Sequence, residues 1–147
     1  MKAPLYGLVL LVVALAACSD EQSTPAVPLV SIEWRGGLCP YGGCSTTLNV
    51  GSDGAYRFSE GDGTESTGFT DAALSSELSD AIARADFDAV RVRGFTETCP
   101  TAYDGQEITY TFYGPAGDET MSTCEYVLEW TQPPFPQLLA ILDLVER

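Results

Sequence analysis

The chain has 147 residues, 21 acidic side chains against 7 basic ones, a formal net charge of −14 and no histidine. One domain with a single core suits this length, and nucleic acid is excluded as a partner because phosphate binding needs clustered lysine and arginine. With Lys2 as the lone lysine, Ser-His-Asp and Cys-His nucleophiles, histidine-bearing zinc sites, Schiff bases and P-loop lysines are excluded too, and no cofactor is implied.

The first segment carries Lys2, then an apolar run from Leu5 to Ala17 centred on Val9, Leu10, Leu11, Val12 and Val13, and then Cys18. Its 13 residues fall short of the ~20 that a membrane-spanning helix needs. Leu15-Ala16-Ala17-Cys18 resembles a bacterial lipobox, in which a secretory signal ends at a cysteine. The resemblance implies that residues 1–17 are removed, that Cys18 is lipidated, and that more than one acyl chain anchors the protein to a membrane, where a single chain holds only marginally. It also implies export to the cell envelope, with Ser19 in place of aspartate pointing to the periplasmic side of the outer membrane in a Gram-negative host. The mature chain keeps six arginines against 21 carboxylates, a balance suited to a cationic partner or a calcium-rich surface.

Residues 18–28 are polar, with Pro25 and Pro28 and no periodicity, and read as a disordered tether to a domain over 29–147. Leu29 to Arg35 alternates Val30, Ile32 and Trp34 with Ser31, Glu33 and Arg35, the pattern of a half-buried strand. Gly36 to Cys44 holds four glycines and a proline in nine residues and is expected as a loop. Thr46, Leu48 and Val50, the Ser52-Asp53-Gly54 turn, and Tyr56 and Phe58 form a hairpin signal. Glu60 to Gly63 is a second turn, with Thr64 to Phe69 as a short edge strand. Asp53, Glu60 and Asp62 read as turn residues, because the spacing of a calcium loop is absent.

Asp71 is a good N-cap for a helix in which Leu74, Leu78, Ala81, Ile82 and Ala85 recur at three- and four-residue steps, with Phe87 plugging its end. Arg84, Arg91 and Arg93 are expected to neutralise Asp80, Asp86 and Asp88. Cys99 to Gly105 is another loop. Ile108, Tyr110 and Phe112 then alternate with polar residues as a strand, Gly114 to Asp118 turns the chain, and Glu119 to Leu128 is expected to return antiparallel. Pro133, Pro134 and Pro136 open a last helix with an apolar stripe of Phe135, Leu138, Leu139, Ile141, Leu142 and Val145. The fold expected is α+β: an antiparallel sheet of two hairpins and an N-terminal strand, with two helices on one face.

With Cys18 assigned to lipid, Cys39, Cys44, Cys99 and Cys124 remain as an even set in an oxidising compartment, where disulfides form. Three connectivities exist. Cys39 with Cys44 and Cys99 with Cys124 is favoured, because the first pair brackets one loop and the second lies within one chain segment. Neither pair has the C-x-x-C spacing of a redox centre.

Three functions are compatible with these residues. One is a binding module for a protein partner, presenting the loops at Gly36 to Cys44 and Thr98 to Gly105 with Tyr41 and Tyr103 as contact residues. A second comes from a resemblance. Ile32-Glu33-Trp34-Arg35-Gly36-Gly37-Leu38, the helix ending Arg84-Ala85-Asp86-Phe87, the strand from Ile108 to Phe112 and Pro136-Gln137-Leu138-Leu139 together resemble the emfourin-type (protealysin) metalloprotease inhibitors. To that pattern this chain adds its cysteines, its lipobox and the hairpin around Asp53. Inhibition of a thermolysin-like enzyme would then use the first loop, with Leu38 as the apolar anchor. The third is a hydrolase using paired carboxylates, for which no pair among the 21 acids stands out. A non-enzymatic role is the expectation.

Overall fold

The computed structural model describes residues 27–37 and 44–145. The first alternating segment becomes β1 (Pro28–Gly36), with Val30 and Ile32 fully buried. β2 (Ser45–Gly51) runs antiparallel to it, with Leu48 opposite Ile32 and Val50 opposite Val30. β3 (Ala55–Glu60) pairs with β2, and β4 (Glu65–Phe69) closes that side as an edge strand. The β2–β3 and β3–β4 turns are each held by an aspartate. Asp53 accepts a hydrogen bond from the Ala55 N–H at 3.0 Å, beside Gly54 at φ +83°, and Asp62 accepts one from the Thr64 N–H at 2.8 Å. The Thr64 backbone and hydroxyl hydrogen bonds hold the Asp62 carboxyl below the usual range, which fits turn chemistry rather than a cation loop.

Asp71 accepts from the Ala73 N–H at 2.7 Å and starts α1 (Ala72–Arg84), whose Leu78, Ala81 and Ile82 are buried. The chain then forms α2 (Phe87–Arg91), capped by Asp86 through the Ala89 N–H at 2.9 Å. Five residues are too few to register as a hydrophobic period, so this third helix goes beyond the two expected from sequence. Its Phe87 does plug the core. A single 3₁₀ turn (Pro100–Tyr103) precedes β5 (Gln106–Gly114), which pairs with the free side of β1. β6 (Gly117–Ser122) returns along β5, and α3 (Phe135–Val145) follows.

The sheet order is β4-β3-β2-β1-β5-β6, antiparallel throughout, with the helices on one face. Val30, Ile32, Leu48, Val50, Tyr110, Phe112 and Met121 supply the sheet's side of the core, against Leu78, Ile82, Phe87, Val90, Phe135, Leu138 and Ile141. The register puts Ser31, Glu33, Thr47, Asn49, Thr109, Thr111 and Thr120 on the other face, which no helix among the described residues covers. Hydrophobic in, polar out is what a one-sided antiparallel sheet requires.

Two expectations are corrected. The return strand stops at Ser122 and does not reach Leu128, because the Glu125 and Tyr126 N–H groups both turn back to the Ser122 carbonyl at 3.1 and 3.0 Å. In α3, Leu139 is exposed, since it lies about 100° around the helix from buried Leu138.

Candidate functional site

Four chain segments meet where β1 leaves the sheet: the end of β1, the start of β2, the 3₁₀ turn leading into β5, and the turn after β6. The Gly36 N–H donates to the Cys44 carbonyl at 3.1 Å and closes the neck of the first loop. Gly36 and Gly37 sit at φ +92° and +94°, a region that side-chain-bearing residues rarely adopt. This geometry lets the Gly37 N–H donate to the Gly105 carbonyl at 3.0 Å, so the two loops touch backbone to backbone. A Cβ on Gly36 would lie 2.5 Å from the Gly105 oxygen, and one on Gly105 would lie 2.5 Å from Pro100 Cβ. Only glycine fits at either position.

The second loop is fixed from within. The Ala102 N–H donates to the Cys99 carbonyl at 3.0 Å, the Gly105 N–H to the Pro100 carbonyl at 2.8 Å, and Asp104 takes the left-handed conformation at φ 61°. Cys99 is disulfide-bonded to Cys124, with their Cα atoms 5.0 Å apart, so the loop is tied to the turn after β6. That turn is braced in its own right: the Cys124 N–H donates to Ser122 Oγ at 3.0 Å, and the Ser122 hydroxyl donates to Glu107 on β5. The Thr101 hydroxyl lies 3.2 Å from Cys99 Sγ and donates to it, since a disulfide sulfur has no proton to give. Tyr103 stands at the end of the 3₁₀ turn, 76% exposed.

Of the residues singled out from sequence, Cys99, Cys124 and Tyr103 are thus brought together. Cys44 is also disulfide-bonded, while Cys18, Leu38, Cys39 and Tyr41 lie outside the described residues. The sequence alone presents the two loops as separate, and the Gly37–Gly105 hydrogen bond that joins them goes beyond it. The Asp104-Gly105 pair was its visible trace, since such pairs mark a left-handed turn.

The remaining polar clusters have structural partners. Donor atoms of Cys99, Glu107 and Cys124 lie within 4.8 Å of one another, but with both sulfurs in one disulfide only Glu107 offers an anionic ligand. Two of the three clustered arginines bind acids as expected, though chiefly other acids than those named, and Arg84 forms no ion pair among the described residues. Arg91 holds Asp88 at 2.8 Å and also Glu119, Arg93 holds Glu129, and Asp86 caps α2. A cleft of about 190 Å³ beside the Gly114–Gly117 turn is lined by these already engaged carboxylates. Burial pushes the Tyr110 phenol well above its ordinary range, which keeps it protonated and part of the core.

One further concavity adjoins the disulfide. Phe95, Thr96, Glu97, Thr123, Tyr126, Val127, Leu128 and Trp130 line a groove of about 370 Å³. Its residues come from irregular segments, where no hydrophobic period announces them. Among the described residues no helix is long and apolar enough to cross a membrane. No family model matches this chain, and no curated protein matches it.

Proposed function

We propose that this protein is a lipid-anchored module of the cell envelope that binds a protein partner through its fused, disulfide-bearing loops. The observation that carries this reading is the backbone contact between Gly37 and Gly105, which ties the foot of the first loop to the second, where Tyr103 is exposed beside the Cys99–Cys124 bridge. Ordering a surface before binding removes an entropy cost of roughly 0.5–1.5 kcal/mol per immobilised side chain from the association itself. The anchor rests on the lipobox, Leu15-Ala16-Ala17-Cys18. From Cys18 the chain arrives at the Pro28 end of β1, and nine residues at ~3.3 Å each carry it to the loop end. Anchor and loops therefore meet the sheet at opposite ends of one strand.

Site-specific photo-crosslinking in intact envelopes tests this. A benzophenone side chain at position 103 is expected to yield a discrete adduct, and one at position 69, where exposed Phe69 sits on the far edge strand, is not. The adduct from position 103 should weaken in Cys18→Ser, which is expected to lose its fatty-acid label. No adduct at 103, or equal adducts at both positions, would overturn the reading.

A second reading, inhibition of a thermolysin-like protease, is favoured by the positive φ of Gly36 and Gly37 immediately before Leu38, which presets the backbone at the base of the loop. It requires that the wild-type protein inhibit such an enzyme and that Leu38→Asp lose inhibition with an unchanged thermal melt. A wild type that never inhibits removes it.

A further inference from the structure

The groove beside the disulfide is lined by aromatic side chains, with the Glu97 carboxylate among them. Trp130 is 41% exposed, yet its indole is fixed from below, packing edge-on against Phe135 at 5.3 Å and Tyr110 at 6.0 Å between ring centres. Tyr126 is partly buried against the same core. The two segments that carry the rings are tied by backbone hydrogen bonds, Phe95 N–H to the Glu125 carbonyl at 2.8 Å and Val127 N–H to the Arg93 carbonyl at 2.8 Å. The segments are therefore held together, and Trp130 is seated on the core rings beneath it.

Charge decides what fits. Arg93, whose backbone bonds to Val127 of the groove, is already bound to Glu129. Glu97 lines the groove and Glu125 borders it, and neither forms an ion pair among the described residues. Exposed faces of tryptophan and tyrosine attract guanidinium and ammonium groups through the ring quadrupole. A carboxylate at the rim of such a floor completes a site for a cation, and the net charge of −14 raises the local concentration of cations around it. A neutral sugar would stack on the same rings but would make no use of the unpaired carboxylates.

From these observations we infer that the groove formed by Phe95, Glu97, Tyr126 and Trp130 binds an arginine side chain on a basic segment of a protein partner. The guanidinium lies over the aromatic floor and forks onto Glu97, for which its planar pair of donors is suited. The groove stands beside the loop surface and not within it, so this inference and the role of Tyr103 can fail separately.

Calorimetric titration of the full chain in a non-ionic detergent with an acetylated tetra-arginine peptide tests it. Wild-type protein is expected to bind with one site, and Glu97→Gln to weaken binding about fivefold. Glu60→Gln removes the same charge from the turn at the opposite side of the sheet and should change affinity less than twofold. Trp130→Leu should weaken binding further, with a thermal melt reporting any loss of fold. If that variant does not fold, the comparison of Glu97→Gln with Glu60→Gln still decides. No binding, equal weakening by the two glutamine variants, an unchanged affinity in a folded Trp130→Leu protein, or preferential binding of a neutral oligosaccharide such as cellotetraose would each overturn the inference.

Discussion

Replacing both cysteines of the Cys99–Cys124 bridge with alanine is expected to lower stability by about 2–5 kcal/mol, read by chemical denaturation. The bridge spans 25 residues of sequence, so reducing it frees a long loop in the unfolded chain and raises that chain's entropy. The loss should be uneven. β5 keeps its full pairing with β1 from Val30–Phe112 to Gly36–Gln106, whereas the Cys99 to Gly105 loop loses its tie to the turn after β6. Amide exchange should therefore accelerate most around Ala102 and Gly105 and least in β1. Wild-type protein treated with a reductant should lose at least as much stability as the double variant, because the bridge at Cys44 opens too. Equal denaturation midpoints for bridged and unbridged protein would show that the disulfide is incidental to this end of the fold.

Phe112→Ala is expected to cost a further class of stability, about 3–5 kcal/mol, through the cavity it leaves. Phe112 is fully buried on β5, with ring centres 5.3 Å from Phe87, 5.9 Å from Phe135 and 6.2 Å from Tyr110. It is the point at which α2 and α3 both seat on the sheet. Phe112→Leu, which retains most of the apolar volume, should cost markedly less. Because Trp130 rests on Phe135 and Tyr110, the alanine variant should also change the indole fluorescence at temperatures where the protein remains folded. A Phe112→Ala protein with a wild-type melting temperature would contradict the packing described here.

The α+β class and most strands were legible because burial on one face imposes a period of two. Val30, Ile32 and Trp34, or Ile108, Tyr110 and Phe112, can alternate only if one side meets a core. Asp71 marked the start of α1 for an equally local reason, since its carboxylate satisfies an N–H that the helix cannot. What the sequence withheld is non-local. Nothing in β1 announces that β5, more than 70 positions later, fills its free side while β2 fills the other. The overrun of β6 has the same origin. Polar and apolar residues continue past Ser122 without a glycine or proline to mark a stop, yet the chain turns there, and Cys124 meets Cys99 across space. The fusion of the two loops is a contact between the amide of one glycine and the carbonyl of another; Asp104-Gly105 marks a turn there, but no side chain marks which backbone it meets. The aromatic groove was hidden because Phe95, Tyr126 and Trp130 come from segments whose only regular pairing is the single Gly94–Tyr126 bridge.

The most direct measurement of the central claim, that the fused loop end is the binding surface, is an amide-exchange footprint across the whole domain. Exchange is compared between protein purified in detergent and the same protein in its native envelope. Protection confined to Gly36, Gly37 and the stretch from Cys99 to Gly105 is the expected result. Protection centred on the polar sheet face at Ser31, Thr47 and Thr109, with the loop amides unchanged, would contradict it.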